Sequence, residues 1–74
     1  MTPQIAALRI GRSLLASENG IDSAIADTGT LMAHLTTARV ATGQPAITGH
    51  RAIAKVAAAQ AKMIAARQDL IRAH

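Results

Sequence analysis

Apolar residues along this chain recur at alternating steps of four and three. In the C-terminal part, Ala52, Val56, Ala59, Met63, Ala66, Leu70 and Ala73 keep that step. The spacing holds one stripe of a helix against a neighbouring helix, as in a coiled coil. Ala57, Ile64 and Ile71 form an adjacent column that widens the stripe, whereas Lys55, Lys62 and Asp69 share a column expected to face water. In the N-terminal part, Ile10, Leu14, Ser17, Ile21, Ala24, Thr28, Leu31, Leu35 and Ala38 keep the same alternation, with Ile25 and Met32 one place further round. Nowhere does a period of two run long enough for a strand. The pattern predicts an all-α chain.

Punctuation sets the boundaries. Thr2-Pro3 pairs a hydroxyl cap with proline at the first helical position, where a missing N–H does no harm. In the stretch Thr42-Gly43-Gln44-Pro45-Ala46-Ile47-Thr48-Gly49, Gly43 suits the end of one helix, Pro45 blocks its continuation, and Thr48 is placed to cap the next. Asn19-Gly20 is a common turn dipeptide, yet the four-three register passes through it without a slip. A loop there would not oblige the two sides to agree in phase. The expectation is therefore an antiparallel helical hairpin in one helical domain, 1–74, with a long first helix (about 3–41) and a second (about 49–73). The alternative is a three-helix bundle broken at Asn19-Gly20. Within a helix, Gly20 and Gly29 each cost about 1 kcal/mol relative to alanine, so the long helix needs packing to hold it.

Folding at the turn brings Glu18, Asp22 and Asp27 towards the neighbourhoods of Arg72, Arg67 and Ile64. Acids of the first helix then lie beside the basic end of the second. The expected hairpin seam is Ile21, Ile25, Met32 and Leu35 against Val56, Met63, Ile64, Leu70 and Ile71. The second helix runs out near residue 17, which leaves Ile5, Leu8, Ile10, Leu14 and Leu15 with no partner in the hairpin. These five are expected to contact another molecule.

Composition sharpens that expectation. The chain has 74 residues, with no Phe, Tyr or Trp and no cysteine. Without aromatics the core lacks its largest fillers, and without cysteine it has neither disulfides nor thiolate metal ligands. Of the usual devices that support a small core, association with other chains is the one left. A secretory signal would place its positive charges ahead of the apolar stretch, but Arg9 and Arg12 lie inside it. The run from Ala52 to Ala66 is interrupted by Lys55, Gln60 and Lys62, which disfavours a membrane span. The expected location is the cytoplasm, or a particle assembled there.

Candidate chemistry is sparse. Ser23, Asp27, Thr30 and His34 share a helical stripe, but Ser23 and His34 stand about 16 Å apart at 1.5 Å per residue. A nucleophile and its base must meet, so the stripe reads as a solvated face. His34, His50 and His74 have no ligating partner three or four residues away, so no metal and no cofactor is expected. The segment Gly43 to Gly49 lacks both the Lys-Ser/Thr and the preceding strand of a phosphate loop.

Eight Lys and Arg against four Asp and Glu give a formal net charge of +4. Arg9, Arg12, Arg51, Lys55 and Lys62 are candidates for contact with nucleic acid or with an acidic protein partner. No aromatic is present to stack on bases. The sequence thus points to a non-enzymatic structural protein whose protein–protein contacts build an oligomer, either of its own copies or with a larger protein. A small phage virion component fits the size and charge. A basic, nonspecific nucleic-acid-binding protein is the alternative.

Overall fold

The computed structural model describes residues 1–73. It consists of two helices, α1 (Pro3–Ala41) and α2 (His50–Arg72), joined by a short turn and packed antiparallel. α1 runs unbroken for 39 residues through Asn19 and Gly20, so the three-helix alternative does not form. At its start, the Ile5 N–H donates to Thr2 Oγ1 at 3.1 Å, with Pro3 in the first turn. A good N-cap of this kind contributes about 1 kcal/mol.

At the other end, Gly43 takes φ 65°, the left-handed region that glycine occupies without strain. The Gly43 N–H donates to Val40 O at 3.1 Å and the Gln44 N–H to Arg39 O at 3.2 Å, which closes off carbonyls the helix end would leave orphaned. The Arg39 guanidinium also donates to Gln44 O. Pro45 O accepts from the Thr48 N–H at 2.9 Å, and the chain then enters α2. Here the structure corrects the expected cap. The residue before α2 is Gly49, at φ 77°, and no side chain caps this helix.

The seam is thin. No described residue is fully buried. Half-buried side chains on α1 include Ile21, Ile25, Thr28, Met32 and Leu35, and those on α2 are Ile53, Val56, Gln60, Met63 and Leu70. The molecule measures 62 × 17 × 13 Å with a radius of gyration of 17.9 Å. A compact chain of this length would have a radius of about 11 Å. Its accessible surface is 5547 Å², whereas a folded monomer of this mass exposes about 4,300 Å². The hairpin leaves roughly 1,200 Å² more surface in water than a compact monomer would.

Candidate assembly interface

Two cross-helix contacts define how the helices meet. The Arg67 Nε donates to Asp22 Oδ1 at 2.6 Å. One heptad further along α1, Gly29 faces Gln60, whose Nε2 lies 4.0 Å from where a Cβ on Gly29 would stand. Seven residues forward on α1 are thus matched by seven backward on α2, which is a single antiparallel register. The hydrogen bond and charge of Asp22 raise the Arg67 guanidinium above its ordinary pKa. Both side chains are about half exposed, so the pair orients the helices more than it stabilises them.

This register rotates α2 relative to the expected seam. Val56, Met63 and Leu70 lie in it, but they are flanked by Ile53 and Gln60. The expected flank was Ala57, Ile64 and Ile71, and Ile64 and Ile71 instead stand 56% and 45% exposed. Gln60 and Arg67 stand one heptad apart, and this column is the one from which Arg67 reaches the Asp22 carboxylate. On α1, Ile21, Ile25, Met32 and Leu35 are half-buried as placed in the seam, whereas Leu31 is exposed.

In this register α2 ends level with about Ser17. The first 14 or so residues of α1, about 20 Å of helix, project beyond it. Ile5, Leu8, Ile10 and Leu15 there are 44%, 61%, 68% and 57% exposed. Leu14 is half-buried and helps to line an open notch with Arg9, Ile10, Ser13 and Ser17. The structure therefore divides four of the five expected contact residues between two faces. Ile10 and Leu14 continue the line of the α2-facing side, whereas Leu8 and Leu15 belong to the Asp22 column.

The chain matches no family model, no curated protein and no solved structure. What the site can do must be read from its own chemistry. Among the described residues, no three His, Asp or Glu side chains converge as a metal site, and no helix is long and apolar enough to cross a membrane. The hydroxyl of Thr30 donates to Ala26 O, and that of Ser17 donates to Ser13 O. Such bonds occupy the hydroxyls within their own helix. Arg9, Arg12, Arg51, Lys55 and Lys62 are all exposed. They are strung along about 40 Å of the rod, with Arg9 and Arg12 on the projecting end and the other three on α2.

Proposed function

We propose that this chain is a non-enzymatic assembly subunit, a helical hairpin that completes its packing against other protein chains in a larger particle. The carrying observation is the projecting end of α1, where large aliphatic side chains stand in water beyond the reach of α2. An isolated helix of about 14 residues is marginal in water, even with a good cap. A neighbouring chain supplies the apolar surface that this segment lacks. The excess exposed area has the size of one side of an ordinary protein interface, about 800 Å² or more per partner.

The test is absolute mass by light scattering after size exclusion, at low and at high salt. An assembly held by apolar contacts keeps or gains mass in high salt. Replacing Leu8 and Leu15 together by Ser is expected to reduce the mass towards 7.6 kDa while most of the helical circular dichroism remains. A fully helical wild-type monomer at both salts would overturn the proposal, because the projecting segment would then stand without a neighbour. Steeply salt-dependent binding to any DNA duplex, with no self-association, would favour the nucleic-acid reading instead.

A further inference from the structure

The outer side of α2 carries charge of one sign over most of its length. Ile53, Val56, Gln60, Met63 and Leu70 are half-buried and mark the seam of this helix with α1. At 3.6 residues per turn, the column Arg51, Lys55, Ala58, Lys62, Ala65 and Asp69 lies about 150° round from that seam. Arg51, Lys55 and Lys62 are exposed there and span about 16 Å of helix. No Asp or Glu stands three or four residues from any of them, and Asp69 ends the column one heptad beyond Lys62. Between Arg51 and Ala66, every other residue on this outer half is alanine.

We propose that this face binds nucleic acid, with Arg51, Lys55 and Lys62 contacting the phosphate backbone of a duplex. The arrangement costs the lone hairpin stability. Arg51 and Lys55, four residues apart, repel each other. Arg51 also stands in the first turn of α2, where the helix dipole favours an acid. That turn has neither an acid nor a side-chain cap. A face that served only solubility would mix both signs. A row of phosphates offsets the repulsion, and contact releases the counterions they held.

The rest of the face chooses among anionic partners. A protein interface is anchored by large apolar or aromatic side chains, and this half of α2 has none between Arg51 and Ala66. A helix on a lipid surface buries the apolar stripe behind its cations, but that stripe of α2 is already packed on α1. Phosphate contacts need neither feature. Single strands are held largely by stacking on aromatic rings, and the chain has no Phe, Tyr or Trp. What remains is a duplex held through its backbone, without selection among bases.

The face lies across α2 from the seam and clear of the projecting end of α1, so this inference stands apart from the assembly reading. Two variants of equal net charge test it: Lys55→Gln/Lys62→Gln on the face and Arg9→Gln/Arg12→Gln on the projecting end. Glutamine preserves helix propensity, and all four positions are exposed. Binding to a short random-sequence DNA duplex is read by fluorescence anisotropy over a range of salt. Each variant is compared at concentrations where light scattering gives it the wild-type mass. The face variant should bind at least tenfold more weakly at low salt. Its log–log salt slope should fall by about two, one for each lost phosphate contact. The projecting-end variant should keep the wild-type affinity and slope.

Equal losses in the two variants would overturn the face, because net charge alone would then set the affinity. Poly-glutamate or phosphatidylserine vesicles binding as tightly as the duplex would overturn the choice of partner, as would a wild-type chain that leaves the duplex free. A monomeric mass with only the face variant defective would uphold this inference and remove the assembly reading.

Discussion

The two halves of α1 are the same helix held in two different ways. From about Ser17 onward, Ile21, Ile25, Met32 and Leu35 rest on α2, and each is half-buried. Before that point the helix has a better start, with Thr2 and Pro3 in place, but its Ile5, Leu8, Ile10 and Leu15 have nothing to rest on in the hairpin. Local signals serve both halves equally well. What separates them is a neighbour, and α2 is too short to supply one along the whole length. Periodicity decides that a segment is helical, whereas burial decides whether it stays so at equilibrium.

The strongest blow to the supported half is Met63→Asp, which sets a charge into the seam between Val56 and Leu70. The loss is expected to be about 2–4 kcal/mol, most of the stability available to so small a chain. Circular dichroism should show the hairpin melting, and an unchanged melting curve would remove Met63 from the seam. Compared with Leu8→Ser/Leu15→Ser, the expected contrast is one of kind: one change should unfold the chain, and the other should separate the chains of the proposed assembly.

Glycines sharpen the comparison on a smaller scale. Gly20→Ala is expected to gain about 1 kcal/mol, because the added methyl meets nothing within 4 Å. Gly43→Ala should lose about 1–2 kcal/mol, because its φ of 65° is strained for any residue with a Cβ. A shift of 1 kcal/mol moves the melting temperature of so small a domain by about 4–8 °C, so thermal melts separate the two signs. The smallest effect belongs to Asp22→Asn. It removes the ion pair with Arg67, and the small drop in melting temperature should shrink as salt rises.

Much of this architecture was legible in the residues. The four-three phase through Asn19-Gly20 carried the long helix, and Gly43 and Pro45 placed its end. The rotation of α2 was not legible, because Ala57, Ile64 and Ile71 are the more apolar column beside Val56, Met63 and Leu70. The polar Gln60 and Arg67 argue against the very column that packs. Only with Asp22 set opposite Arg67 does that column gain a cross-helix partner. The projecting segment was countable from helix lengths alone. Its division into two faces was not, since that depends on the rotation.

The turn between Gly43 and Gly49 also sets the order in which the molecule comes together. Leu35 and Ile53 are joined by a short stretch of chain, whereas Asp22 and Arg67 are separated by a much longer one, and closing a longer loop costs more entropy. Contacts should therefore zip outward from the turn, in the microsecond range typical of helical hairpins. The closing front travels down α1 and stops near Ser17, where α2 runs out of residues. Beyond that point, in the proposed assembly, the remaining steps would join separate chains, and their rate would rise with concentration.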